Sequence, residues 1–346
     1  MKTTQNKKPS SMVHLNTLVG GRNVSILRPL LEHYRNLGVE SYIINIHLNQ
    51  EGDPILEEIT SITKDFGVPI ASVSVGSWLE ILRRVYRESR TRYPNDWHIL
   101  ADQDEFQVYP MGLSELEAFC EERGFDYVRG CWVDRLAADG GFPQLDCYSS
   151  LWDQCPVGAF LSYPIGAADP RKVVFAKSHV DVCVGQHLAW NGTGCPISEA
   201  FIQIHHFKWV EGIIAELEAR AGILKHGGYG FHVESSRFVK YFQANNGLVN
   251  LEDRRLLATK CGQDYPHWPL IQRWFMLLNN YVELGRRFIP GPASLTLEAE
   301  TLSMDADRLR ANLASATGSD SLLIAGRHDP TFGLEPLREI WFKTRN

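Results

Sequence analysis

Hydrophobic and polar positions follow one another along the first hundred residues in a regular succession of strand and helix patterns. Short apolar runs typical of buried strands occur at residues 12–19, 42–46 and 70–75. Apolar residues recur three and four positions apart over 24–37, over 53–66 and from Ser77 onwards, which predicts amphipathic helices. A fourth apolar run, Ile99-Leu100-Ala101, follows the third helix. Strands that alternate with helices predict an α/β fold with a mostly parallel central sheet flanked by helices.

The pattern becomes less regular after Phe125. Further strands are predicted at residues 127–132, 160–165, 173–184 and 201–209. Helical periodicity predicts helices at residues 210–224, 232–245, 267–285 and near 303–315. Between the first two of these strands, Val133–Pro143 is rich in glycine and is predicted to be a loop, either a surface excursion or the wall of an active site.

Composition places the chain among globular proteins and excludes several classes. Of its 346 residues 44% are hydrophobic and 22% are charged, which are ordinary values for a protein with a full core. The formal net charge of −6 argues against a nucleic-acid-binding protein, which would present a basic face. No apolar run approaches the roughly 20 residues of a membrane span. No apolar segment of a signal peptide follows the polar amino terminus.

Cysteine usage indicates a reducing compartment. The seven cysteines are odd in number, and no two of them have the spacing of a zinc or redox motif. They are predicted to be free thiols, and the expected location of the protein is the cytoplasm.

The candidate chemistry is concentrated in the stretch Trp97–Phe106. Its apolar run is followed at once by three carboxylates, those of Asp102, Asp104 and Glu105. In an open α/β sheet, ligands bind at the carboxyl ends of the strands. Asp102 and Asp104 are two positions apart, so in an extended chain their side chains leave on the same side. Two such carboxylates repel each other unless a cation lies between them, and hard oxygen ligands suit Mg²⁺ or Mn²⁺.

Two plainer interpretations stay open at this stage. The acidic stretch resembles a turn that precedes a helix, and Ser114 begins a capping-box pattern. The Gly20-Gly21 turn after the first strand lacks the glycine spacing of dinucleotide folds and of phosphate loops. Its role is either nucleotide binding or a simple bend between a strand and a helix.

Four segments, in this order along the chain, resemble one family. They are Leu27–Tyr34 with Leu37–Val39, Trp97–Phe106, Val133–Arg135 with Asp139-Gly140, and His206–Trp209. The family is that of the family-2-like glycosyltransferases with the GT-A fold, in particular the branch related to family 92. The resemblance extends over about residues 12 to 240. It implies a GT-A-like, Rossmann-like fold with a helical carboxyl-terminal extension.

The resemblance implies transfer of a sugar from a nucleotide diphosphate, with a UDP-sugar as the expected donor. The leaving diphosphate would be neutralised by Mn²⁺ or Mg²⁺ bound to the Asp-x-Asp motif. Asp104 would be the direct ligand, and Asp102 would lie nearer the ribose or reach the metal through water. His206 is expected to supply a third ligand, with His205 as the alternative. Further donor-binding candidates are Thr17, Arg22, His187 and Lys208.

The acceptor side is defined less well by the sequence. An inverting transfer needs a carboxylate within about 3 Å of the acceptor hydroxyl. Asp139 is the first candidate for this base, followed by Asp134 and Glu199, and a structural role for Asp134 is an equal alternative. The sequence has neither an obvious Glu-Asp base pair nor the Gln-x-x-Arg-Trp motif common in the family. Inversion and retention therefore both stay open, and the acceptor is a glycan, a lipid, a natural product or a peptide.

The predicted organisation is a flexible tail over residues 1–11, a catalytic domain over 12–210 and a mainly helical region over 211–346. Within the catalytic domain, the nucleotide-binding half covers about 12–106 and the acceptor half about 107–210. Two rival functions remain. A metal-dependent nucleotidyltransferase or phosphohydrolase would also need acids at a strand end, and a non-catalytic nucleotide-sugar-binding protein would keep the fold without turnover.

Overall fold

The computed structural model describes residues 11–21, 24–166, 168–222 and 231–283. The predicted tail over 1–11 lies outside these residues except for Ser11, as do Arg22 and the helix expected near 303–315. The chain divides into two compact units, each assembled from two stretches. The first unit comprises the residues up to Gly130 together with Lys172–Cys195, and the second comprises Cys131–Arg171 together with the residues from Pro196 onwards.

The strands and helices follow one another along the chain much as the periodicity predicts. The strands are β1 (Val13–Gly20), β2 (Ser41–Leu48), β3 (Ile70–Val75), β4 (Trp97–Leu100), β5 (Glu105–Val108), β6 (Tyr127–Leu136), β7 (Val157–Ala159), β8 (Arg171–Lys177), β9 (Ile202–His206) and β10 (Thr259–Lys260). The helices are α1 (Leu27–Asn36), α2 (Ile55–Asp65), α3 (Trp78–Arg92), α4 (Leu113–Arg123), α5 (Leu151–Gln154), α6 (Ile213–Gly222), α7 (Phe231–Ala244) and α8 (Trp268–Glu283). No described helix has both the length and the apolar character that a membrane span requires.

The first unit is built on a mostly parallel sheet, which confirms the predicted fold class. Strand β1 pairs in parallel with β2 and with β4, and β2 pairs in parallel with β3, while β8 joins β4 in the antiparallel direction. Parallel strands are covered on both faces and therefore read as nearly continuous buried runs. Strand β1 has this character, since every residue from His14 to Gly20 is buried.

Helix α3 covers this sheet with the face that its periodicity predicts. Ile81, Leu82, Val85 and Tyr86 form one buried cluster with Leu18 of β1 and Leu100 of β4. These four helical residues recur at the spacing of one helix face. The packing fixes the helix against the two central strands whose carboxyl ends carry the candidate site.

The second unit combines an antiparallel sheet with helices. Strand β6 pairs antiparallel with β7, placing Asp134 opposite Ala159, and β7 pairs antiparallel with β10. Two buried clusters rich in aromatic residues lie in this unit, one around α8 and one around α6 and α7. Arg135 is fully buried and donates to the backbone oxygens of Cys155, Cys261 and Gly262.

Three sequence-based assignments in the less regular part of the chain were wrong. The strand expected at 160–165 is a single π-helical turn over Ser162–Gly166, and the strand is instead β7. Strand β8 ends at Lys177 instead of continuing to residue 184. The loop expected at Val133–Pro143 begins only after Leu136, because β6 continues through Asp134. A side chain distant in sequence explains the first error: the Asp134 carboxylate accepts from the backbone N–H groups of Leu161 and Ser162.

Buried histidines in the first unit make its stability depend on pH. Burial, reinforced by the nearby charge of His14, lowers the pKa of His98 to about 3. The unfolded chain would bind a proton at this residue below pH 6.5, whereas the folded chain does not. The stability contributed by neutral His98 is therefore complete above about pH 6.5 and is lost as the pH falls from there towards its folded pKa.

We expect the free energy of unfolding to fall by about 1.4 kcal/mol per pH unit because of His98 alone in the middle of that interval. In a His98→Gln variant this part of the slope should disappear. Urea denaturation at a series of pH values between neutrality and about pH 4 measures both slopes. Equal slopes in the two proteins would contradict the assignment.

Candidate functional site

The candidate site lies where two neighbouring parallel strands end. The last paired residues are Asn16 of β1 and Leu100 of β4, and β1 then continues to Gly20. The Gln103 side chain bonds to this continuation: its Oε1 accepts from Gly20 N at 2.9 Å, and its Nε2 donates to Gly20 O at 2.8 Å. A Cβ atom on Gly20 would lie 2.4 Å from the carbonyl oxygen of His47, so only glycine fits at this position. The acidic stretch is thereby attached to the carboxyl end of β1.

A tight turn organises the acidic residues themselves. The Glu105 amide donates to the Asp102 carbonyl at 3.0 Å, and the Glu105 carboxylate accepts from the Asp102 amide at 3.1 Å. The Lys172 ammonium lies 2.8 Å from Asp102 Oδ2 and 2.7 Å from Glu105 Oε1. Glu105 is fully buried and Lys172 is 1% exposed. Glu105 is thus the buried counterion of a lysine, which the sequence did not indicate.

Electrostatics keep this lysine charged. Burial lowers the pKa of Lys172, but the charges of Asp102 and Glu105 and their hydrogen bonds outweigh burial, so the pKa lies above its usual value. Asp102 is 28% exposed at its side chain, and Asp104 is half-buried. The Tyr86 hydroxyl is 3.4 Å from Asp102 Oδ1. The three acids therefore differ in their surroundings. Glu105 is buried against Lys172, Asp102 is partly exposed and also pairs with Lys172, and Asp104 lies between them in the sequence and is half-buried.

The acids fit a hard divalent cation by ligand type. Asp104 and Asp102 offer the carboxylate oxygens that Mg²⁺ and Mn²⁺ prefer, and the Lys172 ammonium pairs with Asp102 and Glu105. Across the described ranges, no three His, Cys, Asp or Glu side chains converge in a metal-binding group. The ligand set of Asp104, Asp102 and His206 accordingly stays a prediction.

His206, in the second unit, is oriented by a buried carboxylate. Asp134 is fully buried and accepts five hydrogen bonds, from His206 Nδ1 at 3.1 Å, Trp209 Nε1 at 2.7 Å, Leu161 N at 3.1 Å, Ser162 N at 3.2 Å and Ser162 Oγ at 3.3 Å. Burial raises the pKa of Asp134, but the hydrogen bond and charge of His206 and the other donors outweigh it, so the pKa lies below its usual value. The His206 ring also stacks on Trp132, with centroids 4.7 Å apart.

This arrangement suits a histidine with a defined tautomer. An ionised Asp134 favours a proton on Nδ1 of His206, so that Nε2 carries the lone pair of the neutral ring. Histidines that bind metals are oriented in the same way by a carboxylate behind the ring. Because Asp134 already receives five donors, its position favours holding His206 over removing a proton from an acceptor.

The remaining predicted site residues lie in varied surroundings. Thr17 is fully buried in β1, and its hydroxyl has no hydrogen-bond partner among the described residues. His187 is half-buried in a turn that follows Gly185. The Lys208 ammonium lies 5.3 Å from the centroid of the Trp209 ring. Exposed Asp139 accepts from the Gly141 amide at 2.8 Å.

His205 and Glu199, the alternatives named from the sequence, both belong to the second unit. His205 is fully buried, and its Nε2 lies 2.8 Å from the Gln263 carbonyl oxygen. Glu199 is exposed. Lys177 forms ion pairs with Glu121 and Asp126. Arg22 lies outside the described residues.

Comparison with known proteins gives no family and only weak structural likeness. No family model matches the chain, and no curated protein matches it. Among solved structures, HddC from Yersinia pseudotuberculosis is 13% identical with a TM-score of 0.24, and the match covers 39% of this chain and 65% of that one. This chain thus spans less than two thirds of the length of HddC.

Two further solved structures show a similar level of likeness. For 4-diphosphocytidyl-2C-methyl-D-erythritol synthase the identity is 9%, the TM-score is 0.28, and the match covers 49% of this chain and 77% of that one. For a putative glucose-1-phosphate thymidylyltransferase from Bacillus anthracis the identity is 10% and the TM-score is 0.26, and the match covers 81% of this chain and 97% of that one. At these scores the likeness carries no activity over to this chain, and the functional argument rests on its own residues.

The lysine between the acids provides a direct test of the site's electrostatics. Replacing it in Lys172→Met leaves Glu105 buried without its cation, and we expect a loss of about 3 to 5 kcal/mol in the free energy of unfolding. The double variant Lys172→Met/Glu105→Gln should recover part of this loss, because the buried charge is removed as well. Urea denaturation measures each value.

Lys177→Met is the matched control, because it removes a lysine from the same strand. Its ion pairs are partly exposed, so we expect a loss of at most about 1 kcal/mol. Equal losses for the two lysine variants, or strictly additive effects of the Lys172 and Glu105 substitutions, would contradict a buried network.

Proposed function

We propose that the chain is a metal-dependent glycosyltransferase that moves a sugar from a nucleotide diphosphate, with a UDP-sugar as the first donor to test, to an acceptor hydroxyl. One observation carries this proposal: Asp102 and Asp104 follow β4 at the carboxyl edge of a parallel sheet, on a turn fixed by Lys172 and joined to β1 by Gln103. That edge is where α/β folds bind nucleotides. The resemblance to family-2-like glycosyltransferases supports the same assignment.

The acidic turn would act on the leaving group. A divalent cation held by Asp104 and Asp102 would supply Lewis-acid neutralisation of the departing diphosphate. Lys172 offsets part of the negative charge at the turn by pairing with Asp102 and Glu105. Glu105 and Gln103 keep the turn in place before any ligand arrives, so little ordering is left for the binding step.

Asp139 is the proposed base that takes the proton of the acceptor hydroxyl. Its carboxylate is exposed and is held by the Gly141 amide, so an acceptor can approach it. The following Gly140 has φ +78°, and a Cβ atom there would lie 2.2 Å from the Val249 carbonyl oxygen, so glycine is required and the Asp139 turn is kept in one conformation. We propose that Asp134 positions His206 and does not act as the base.

Calorimetry tests the donor site. Nucleoside diphosphates and their sugars should be titrated into the native chain and into Asp104→Asn, with and without Mn²⁺. We expect binding of one nucleotide to require the metal and to weaken by at least about tenfold, or 1.4 kcal/mol, in Asp104→Asn, because the amide replaces a charged oxygen ligand. The control is Asp153→Asn, which alters an exposed carboxylate in α5 and should bind as the native chain does.

The outcomes separate the rival functions. Metal-independent binding, or equal binding by Asp104→Asn and the native chain, would refute the proposed role of Asp104. Release of pyrophosphate from a nucleoside triphosphate and a sugar phosphate would identify a nucleotidyltransferase. Tight, metal-dependent binding of a nucleotide sugar that is neither hydrolysed nor transferred, even slowly, would identify a non-catalytic binding protein.

A further inference from the structure

Strand β3 forms an open edge of the sheet in the first unit. It pairs with β2 on one side, and no strand among the described residues pairs with its outer side. A strand in this position presents a row of backbone N–H and C=O groups that have no strand to bond to. Such an edge is a template for pairing with a strand of another chain.

The sequence of β3 lacks the features that usually protect an edge. Its six residues, Ile-Ala-Ser-Val-Ser-Val, include no charged residue and no proline, although natural edge strands are commonly blunted by one or the other. The one irregularity in its pairing with β2 lies at Ala71, and Ser72–Val75 then pair with Asn45–Leu48 without interruption. The outer edge of Ser72–Val75 is therefore both regular and uncharged.

The same strand exposes two apolar side chains on one face. Val73 and Val75 are 46% and 47% exposed, whereas Ile46 and Leu48, which lie beside them on β2, are buried. Side chains two positions apart in a strand lie on the same face of the sheet. Helix α2 packs on β2 and on α1. Cover from the described residues thus reaches β2 and stops short of the two valines.

We propose that β3 pairs antiparallel with β3 of a second copy of this chain, about a two-fold axis, and so joins two sheets into one. A two-fold interface uses the same patch on both copies, so the patch must be complementary to itself. With Ser74 opposite its counterpart, Val73 of each copy lies opposite Val75 of the other. The four valines then form one apolar stripe, and cross-strand pairs of β-branched residues stabilise neighbouring strands.

Helix α2 carries charges that complement this arrangement. Its first turn has Glu57 and Glu58, its last turn has Lys64, and all three side chains are exposed. The two-fold axis reverses α2 of the second copy relative to the first, so the acidic turn of each helix lies on the side of the basic turn of the other. Asp65 does not cancel Lys64, because it pairs with Arg28 of its own chain. This complementarity favours a second copy over an unrelated strand.

The association leaves the candidate site of each copy open. Strands β1 and β2 lie between β3 and β4, and the turn with Asp102 and Asp104 follows β4. Antiparallel pairing also directs the carboxyl ends of the parallel strands of the two copies in opposite directions. Dimerisation therefore requires neither metal nor nucleotide, and it can hold or fail independently of the glycosyltransferase assignment.

The test is sedimentation equilibrium of the full chain over a series of concentrations, without metal or nucleotide. We expect a dimer, and hydrogen exchange of the β3 amides should slow as it forms. Val73→Lys should weaken dimerisation by at least about tenfold, because it places a charge against Val75 of the other copy. Leu248→Lys is the matched control, because it introduces the same charge at an apolar residue of the second unit that is 41% exposed. Both positions are exposed, so both variants should fold, which circular dichroism checks.

Exchange of charges on α2 tests the antiparallel arrangement. Glu57→Lys/Glu58→Lys and Lys64→Glu should each dimerise more weakly than the native chain, and a mixture of the two variants should dimerise better than either alone, because opposite charges face each other again. A chain that is monomeric at every concentration would overturn the proposal, and so would a dimer that forms equally well in Val73→Lys. Absence of recovery in the mixture, or growth into open-ended assemblies, would overturn the two-fold pairing.

Discussion

The buried ammonium of Lys172 is the interaction on which the acidic edge of the first unit depends. Strand β4 ends in carboxylates although it lies at the centre of a packed sheet, and Glu105 is removed from water altogether. Carboxylates in such surroundings would otherwise be driven towards their protonated forms. One cation within 2.8 Å of both Asp102 and Glu105 offsets the cost of burying their charge and fixes the turn between them. The position of Asp104 follows from that turn.

Much of the first unit could be predicted from its sequence, because its determinants are local. The spacing of apolar residues predicts strands β1 to β4 and the helices between them. The acids are placed at the end of β4 because they directly follow that strand in the sequence. The partner of these acids could not be found in the same way, because Lys172 is separated from Glu105 by 67 positions and from Asp102 by 70. The strand wrongly expected at 160–165 fails for the same reason: Asp134 determines the backbone there from 27 and 28 positions away.

Several buried polar atoms in the described part of the first unit have no hydrogen-bond partner there. They are Asn16 Nδ2 and Thr17 Oγ1 on β1, Arg90 Nη1 on α3, His98 Nδ1 on β4 and Arg129 Nε on β6. A sequence selected for stability alone would replace such groups with apolar ones or pair them. Packing alone therefore does not account for these polar side chains.

The division of each unit into two stretches has a consequence for synthesis on the ribosome. The first unit cannot be completed when its first 130 residues have emerged, because Lys172–Cys195 is still missing. Until β8 arrives, Asp102 and Glu105 have no lysine and β4 has an open edge on the side where β8 pairs. The nascent chain therefore carries a solvated acidic turn and an unpaired strand through the synthesis of an inserted segment of 41 residues, Cys131–Arg171. This unit is therefore completed only when its last strand arrives from a distance in sequence.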